Sequence, residues 1–434
     1  MTEILIKNGH ITDPLQGIDA VGCVLITGGK IGKISVGADS INVSNPAISV
    51  VNATELFVFP GFVDMHTHLR EPGFEYKETI RTGTLAAAKG GFTSVCSMPN
   101  TKPVNDNETV TEFIVRKAMM EGYCDVFPIG AITKGQEGKE LAEMGMMKTA
   151  GCVGFSDDGK PVVNSLIMRR ALEYSKVFSS PVISHAEDAF LSEGGVMNEG
   201  YLSTILGLRG IPAEAEIIMI KRDIDLAALT GGRLHVAHVS TAGGVRAIRE
   251  AKKDGIKVTA ETCPHYFSIT EDAVNGYNTN GKVNPPLRTQ KDVEAVREGL
   301  NDDTIDAIAT DHAPHHRDDK MCEFDRAAFG ISGFETAFSL SIRLVHDGVL
   351  TLSRLIRKMT CEPAAILSID KGTLREGGDG DIVVVDMEAT FTVESERFLS
   401  KGKNTPFSGW QLKGQPVLTI NRGRVTYDNF TGRL

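Results

Sequence analysis

Cysteine is sparse and scattered in this chain: seven among 434 residues, with no Cys-x-x-Cys pair. That spacing excludes a disulfide framework and a thiolate metal cluster, and it points to a reducing compartment. No Lys/Arg-rich block occurs, the formal net charge is -10 and the pI is near 5.6, which argues against nucleic-acid binding. Long apolar runs are missing too; Asp381–Asp386 (DIVVVD) is far too short to cross a bilayer. The N-terminal MTEILIKNGH lacks the charged, apolar and small-residue order of a signal peptide. No Gly-x-Gly-x-x-Gly follows a candidate strand, and neither low-complexity segments nor fixed-period repeats occur. What remains is ordinary globular composition, 41% hydrophobic and 24% charged, in a length suited to one large domain and a smaller one. The expectation is a soluble, cytoplasmic, acidic protein.

Residues 1 to about 57 read as short strands with tight turns: ILIKNGHI, GCVLITGGKIGKISV and AISVVNA sit between Gly, Asn and Asp punctuation. From Phe57 the character alternates. Candidate strands are Val58–Met65, Phe92–Met98, Asp125–Ile132, Cys152–Ser156, Pro181–His185, Arg233–His238, Lys257–Glu261 and Asp306–Thr310. Helical patterns lie between them, among them Glu78–Lys89, Glu108–Glu121, Glu140–Lys148 and Ser165–Phe178, and two more follow, Phe334–His346 and Leu352–Leu367. Eight strands alternating with helices predict an α/β fold, a (β/α)8 TIM-like barrel. After Ser368 the strand–turn style returns, so the two flanks are expected to build one small β-sandwich domain from both chain termini. The expected partition is 1–57 with 368–434 for the β domain and 58–367 for the barrel.

The stretch Phe57–Gly73, FVFPGFVDMHTHLREPG, ends an apolar run in Asp64, His66, His68 and Arg70. On a strand, period-two alternation puts all four on one face. A His-x-His pair alone is a weak sign of metal. The other strand ends add to it: Asn100 follows the second, Asp157 and Asp158 close the fourth, His185 ends the fifth, His238 the sixth and Asp311 the eighth. In a (β/α)8 barrel all strand C-termini open onto one face, so these residues converge. Four imidazoles and two carboxylates without clustered thiols suit a dinuclear centre of Zn²⁺, or less well Mn²⁺ or Co²⁺. A carboxylate bridging two such ions would trap a hydroxide between them and polarise a carbonyl, the working parts of amide hydrolysis. Strand alternation does not choose between Asp157 and Asp158.

Nearly the whole chain resembles the amidohydrolase superfamily and, within it, the type I (long-form) dihydroorotases of pyrimidine synthesis. The motifs that carry the resemblance are DMHTHLREPG (64–73), SMPNTKP (97–103), GFSDDG (154–159), SHAED (184–188), AHVST (237–241), CPHYF (263–267), KVNPPLR (282–288) and TDHAPHH (310–316). The resemblance implies reversible cyclisation of N-carbamoyl-L-aspartate to L-dihydroorotate by a zinc-dependent cyclic amidase. It implies His66, His68, His185, His238 and Asp311 as metal ligands, with Asp158 favoured over Asp157 as the carboxylate bridging two Zn²⁺. Many relatives carry a carboxylated lysine there; Lys160 is nearby but out of register, so no carbamylation is expected. Asp311 is implied as the general acid/base working with a metal-bridging hydroxide. His68, Arg70, Asn100 and His315 are implied around the substrate, with Asn284 and the Phe329–Gly330 backbone on the ring edge. Residues 313–329 resemble a loop that covers the site in that family. A homodimer and association with an aspartate transcarbamoylase are the partners the resemblance suggests.

The other polar candidates read as structural. His235 differs in strand parity from His238, His265 is not a ligand in the family, and His10 and His346 carry no functional signal. Glu187 is close enough in sequence to orient His185. Two competing functions remain: another cyclic amidohydrolase (hydantoinase or allantoinase), and a non-catalytic scaffold subunit. Arg70 in REPG and an aspartate in place of lysine speak against the first. Retention of every ligand speaks against the second.

Overall fold

The run from Phe57 to Thr67, continuous in sequence, is two strands in two different sheets. In the computed structural model, which describes residues 3–37, 41, 45 and 47–430, Phe57–Pro60 pairs with Ile4–Asp13 and Ile382–Thr392 in a sheet built from both termini. Phe62–Thr67 pairs in parallel with Phe92–Ser97 and opens the barrel. Gly61 is the joint. A Cβ there would fall 2.1 Å from the Thr93 hydroxyl oxygen, so glycine lets the joint pass close to the neighbouring strand Phe92–Ser97.

The barrel strands follow in sequence order: Phe62–Thr67, Phe92–Ser97, Asp125–Gly130, Gly154–Ser156, Val182–Ser184, Leu234–Val236, Val258–Thr262 and Ala307–Ile308. Helices cover the outside, and the interstrand ladders are parallel throughout. The eighth and first strands meet only at their ends, through a parallel bridge between Thr67 and His312 and a bond from the His68 N–H to the His312 carbonyl (2.8 Å). The expected (β/α)8 architecture is therefore present, nearly closed. The first strand is buried along its whole length, as a strand with helices outside and side chains within must be.

The terminal flanks form one eight-stranded sheet. It curls until the turn at Gly29 meets Gly380 and Gly423 (Gly380 N–H to Gly29 carbonyl, 2.9 Å; Gly423 N–H to Gly380 carbonyl, 3.0 Å). Its inner face closes on one apolar core that includes Ile6, Val24, Ile26, Val384, Leu418 and Ile420, so the expected sandwich takes the form of a single folded sheet. Residues 1–2, 38–40, 42–44, 46 and 431–434 of the expected partition lie outside the described residues. Lys371 ties the sheet to the barrel: its ammonium lies 2.5, 2.7 and 2.6 Å from Asp125, Asp379 and Asp381.

Some local expectations shift. The helical pattern Leu352–Leu367 breaks at Thr360 into Leu352–Met359 and Cys361–Leu367. Pro363 has no N–H to donate and its ring would collide with the Met359 carbonyl in a continuous helix. The pattern Glu140–Lys148 becomes a helix only from Met144, because Leu141 bridges Thr133. No helix among the described residues is long and apolar enough to cross a membrane.

Candidate metal centre and active site

Asp158 stands between two pairs of imidazoles. Its Oδ1 lies 3.2 Å from His66 Nε2, 3.4 Å from His185 Nδ1 and 3.5 Å from His238 Nε2, and its Oδ2 lies 3.5 Å from His68 Nε2. Asp311 Oδ1 is 3.0 Å from His68 Nε2 and 3.7 Å from His66 Nε2. His185 Nδ1 and His238 Nε2 approach to 2.8 Å. All six residues are buried. Asp157, the neighbour that strand alternation left open, points elsewhere: its Oδ1 accepts the N–H groups of Ile132 (2.8 Å) and Thr133 (3.0 Å), and its other oxygen accepts the Thr133 hydroxyl. Of the two aspartates, Asp158 is the one among the imidazoles.

Electrostatics describe what this cluster needs. Burial disfavours charge on Asp158, yet His66, His185 and His238 hold its carboxyl well below the usual range. Asp311, likewise buried, is held at about 2 by His68 and His66. In return, Asp158 and Glu261 overcome burial to keep His66 well above an ordinary imidazole, and Asp158 and Glu187 raise His185 to about 10. The carboxylates are thus kept anionic by protons borrowed onto imidazoles. His66 Nε2, which faces Asp158 and Asp311, makes no hydrogen bond among the described residues. Buried anions, converging imidazole nitrogens and this unpartnered ring nitrogen fit divalent cations, which would supply the positive charge and leave the imidazoles neutral. Within this cluster two trios have ligand atoms within 4.8 Å of one another, His66–His68–Asp311 and His66–Asp158–His238.

Neighbours fix the ring orientations. Glu261 Oε1 is 2.6 Å from His66 Nδ1, Asn100 Oδ1 is 2.9 Å from His68 Nδ1, and Glu187 Oε2 is 3.0 Å from His185 Nε2. Each turns the opposite ring nitrogen toward the centre. Arg70, His238 and Asp311 have φ of 63°, 36° and 46°, a left-handed region that the surrounding structure must enforce and that collects at functional sites.

Beside the cluster is a cavity of about 190 Å³ lined by His68, Arg70, Asn100, Asn284, His315, Phe329 and Gly330, together with Asp158, His185, His238 and Asp311. Every substrate-contact residue expected from the sequence is there. The chamber is smaller than the roughly 300–1,000 Å³ of drug-sized pockets and suits a small ring. It shares Gly159, Asn284 and Phe329 with a neighbouring cavity of about 800 Å³. Burial lowers Arg70 to about 10 against the pull of Asp311 and Asp158, which leaves it a cation at neutral pH. His315 is kept neutral by burial and by Arg70, Lys77 and Lys320; its Nε2 lies 2.8 Å from the Phe329 carbonyl and 3.3 Å from Arg70 Nη2. Asn100 is more occupied than expected, with its amide nitrogen 3.4 Å from Asp158 Oδ2.

His235 stays off the centre, its Nδ1 2.9 Å from Thr259 Oγ1 and its Nε2 3.5 Å from Glu261. Burial lowers His265 to about 4 and so keeps it neutral, and Lys160 is exposed. The sequence reading overlooked Glu261, although a lone carboxylate closing the apolar strand KVTAE is a signal. It also overlooked Lys77, 3.2 Å from His315 Nδ1, which no strand-end pattern marks.

Family models agree with this geometry. Residues 56–243 match a Dihydro-orotase-like model, and residues 227–427 match an Amidohydrolase family model. The chain is 58% identical over 425 residues to a dihydroorotase of Geobacter sulfurreducens and 56% identical over 424 residues to one of Geobacter metallireducens. Each match covers 98% of this chain and 99% of the relative. Among solved structures, it superimposes on an L-hydantoinase (dihydropyrimidinase) from Arthrobacter aurescens with a TM-score of 0.88 at 27% identity, covering 99% of this chain and 97% of that one. A D-hydantoinase (dihydropyrimidinase) from Thermus sp. gives 0.81 at 25%, covering 98% and 95%. The hydantoinases share the architecture at about half the identity of the dihydroorotases, and by sequence over its full length this chain belongs to the dihydroorotase family of amidohydrolases.

Proposed function

We propose that the protein is a zinc-dependent dihydroorotase that interconverts N-carbamoyl-L-aspartate and L-dihydroorotate in pyrimidine biosynthesis. The observation that carries this reading is the Asp158 carboxylate set among four imidazoles beneath a small cavity lined by one half-buried guanidinium, Arg70. His66, His68, Asp158 and Asp311 would hold one Zn²⁺, and Asp158, His185 and His238 the other, with Asp158 common to both. When bound, the ions activate water at neutral pH and polarise the ring carbonyl. Arg70 binds the substrate carboxylate, a bidentate pairing that guanidinium geometry favours, with Asn100 and His315 beside it. Asn284 and the Phe329–Gly330 backbone hold the ring edge. In the hydrolytic direction the Asp311 carboxylate accepts a proton from the attacking water and delivers it to the leaving ring nitrogen; in the biosynthetic direction it takes a proton from the carbamoyl nitrogen.

The same reading includes the partition into a terminal β domain (1–57 with 368–434) and a barrel (58–367), a homodimer, association with aspartate transcarbamoylase and a cytoplasmic location. Dihydroorotate hydrolysis by the wild type and by Asp311→Asn, with metal analysis of both, tests it. The wild type is expected to carry zinc and turn over dihydroorotate, and the variant to lose roughly 10²- to 10⁴-fold in kcat. Less than one zinc per wild-type chain, no turnover, or full activity after metal loss refutes the proposal.

A further inference from the structure

The chain between the terminal-sheet strands Ile382–Thr392 and Gln411–Asn421 leaves that sheet and runs to the mouth of the barrel. It is anchored by an apolar cluster of Val393, Phe398 and Phe407 with Leu340 and Leu412. Past Phe398, the Ser400 hydroxyl donates to Glu78 Oε2 (2.5 Å), and Gly402 packs so closely on Pro314 that a Cβ would fall 2.5 Å from the proline ring. Two residues on is Asn404, 4% exposed.

Its side chain is fully engaged. The amide nitrogen donates to the carbonyls of Ala313 (3.0 Å) and Gly330 (2.9 Å), while Oδ1 accepts the His315 N–H (2.9 Å) and the Ser332 hydroxyl (3.0 Å). The Asn404 carbonyl also accepts the Ser332 N–H (2.7 Å). These five bonds fall on both ends of one loop: residues 313–315, which present His315, and residues 330–332, which follow Phe329. A primary amide is suited to this task because it offers two donors and an acceptor with two lone pairs in one plane. Gly330, at φ 145°, also donates its N–H to the Lys282 carbonyl (2.9 Å) and accepts from Lys320 Nζ (3.1 Å), and Asn404 is the contact that ties it to residues 313–315.

We propose that Asn404, supplied by the terminal domain, is a positioning residue of the active site, stapling both ends of the 313–332 loop so that His315 and the Phe329–Gly330 backbone face the substrate. The proposal rests on the reading that those three residues contact substrate. The staple acts on binding geometry and not on the proton transfer at Asp311, so its loss should appear in KM.

The test uses the metal-loaded full chain. Asn404→Asp keeps the acceptors for His315 and Ser332 but turns an oxygen on two carbonyls, and Asn404→Leu removes every side-chain bond. Both are expected to raise KM for dihydroorotate by about tenfold or more, with kcat within about threefold and zinc content unchanged. Leu374→Ala, in the core of the terminal sheet, should lower Tm without moving KM, which separates misplacement of the loop from a loosened domain. Residue-resolved hydrogen exchange on the wild type should find the His315 and Ser332 amides protected, and needs no variant to fold. Unchanged KM, a KM rise matched by Leu374→Ala, or exchange of either amide at open-loop rates overturns the proposal. If His315→Ala leaves KM unmoved while both amides are protected, the substrate reading fails and the staple stands.

Discussion

Glu261→Gln isolates the charge behind His66. Glu261 Oε1 lies 2.6 Å from His66 Nδ1, and both side chains are buried within the barrel. Glutamine keeps the shape and one acceptor, so the substitution removes a charge and leaves a hydrogen bond. Carboxylates behind metal-binding imidazoles contribute 10- to 100-fold in metal affinity, about 1.4–2.7 kcal/mol. The expected result is a loss of that size in zinc affinity, measured by competition with a chromogenic chelator, and near wild-type kcat once zinc is saturating. The pH dependence has a definite sign. Burial opposes charge on Glu261, but His66 and His235 hold it at about 2, so it stays anionic throughout. The same charge helps to keep metal-free His66 protonated, and zinc must displace that proton. The proton competes harder in the wild type, so its advantage over the variant should widen as pH rises from about 6 to about 9. Affinities within about threefold across that range, or a gap that narrows with rising pH, refute this reasoning.

Asp158→Asn is expected to lose zinc and activity together, whereas Asp157→Asn should keep both and cost about 1 kcal/mol in stability, because asparagine can still accept from Ile132 and Thr133; metal analysis and urea titration separate the two. Lys371→Met removes the shared cation, 5% exposed, from three carboxylates and leaves Asp379 with Lys30, Asp125 with Arg422, and Asp381 with the Asn421 amide and the Arg422 N–H. Removing one partner of a buried ion pair costs about 3–5 kcal/mol, and the remaining partners of Asp125 and Asp379, themselves 18% and 17% exposed, place this case near the lower end. The gap between variant and wild type should shrink below about pH 4. Burial is outweighed at Asp379 by Lys30 and Lys371, which lower it to about 2, so the stability it contributes is present above the unfolded carboxyl value and is lost as pH falls toward 2.

The barrel was legible because its strands are apolar runs ending in imidazoles and carboxylates, and strand C-termini share one face. That rule alone brought His66, His68, the Asp157–Asp158 pair, His185, His238 and Asp311 together. It failed to separate Phe57–Pro60 from Phe62–Thr67, because both are apolar and a glycine inside a strand pattern does not announce a change of sheet. Asp157 and Asp158 could not be told apart from alternation, since the choice depends on the Ile132 and Thr133 amides a strand away. Lys77 and Asn404 were invisible for a different reason: each acts on a loop far away in sequence, Lys77 on the His315 ring and Asn404 on loop backbone, and nothing in local periodicity reports which loop a distant side chain will reach.

The joint at Gly61 also sets an order of assembly. The strand before it needs Ile4–Asp13 on one side and Ile382–Thr392 on the other, so the terminal sheet cannot close until nearly all of the chain has left the ribosome. The barrel strands, each paired with the next in sequence, can accumulate as they are made. A nascent chain therefore carries the barrel, with its imidazoles and carboxylates, before it carries the segment that reaches its mouth. Catalytic competence arrives last, with the C-terminal strands, at the slow step expected when partners lie hundreds of residues apart.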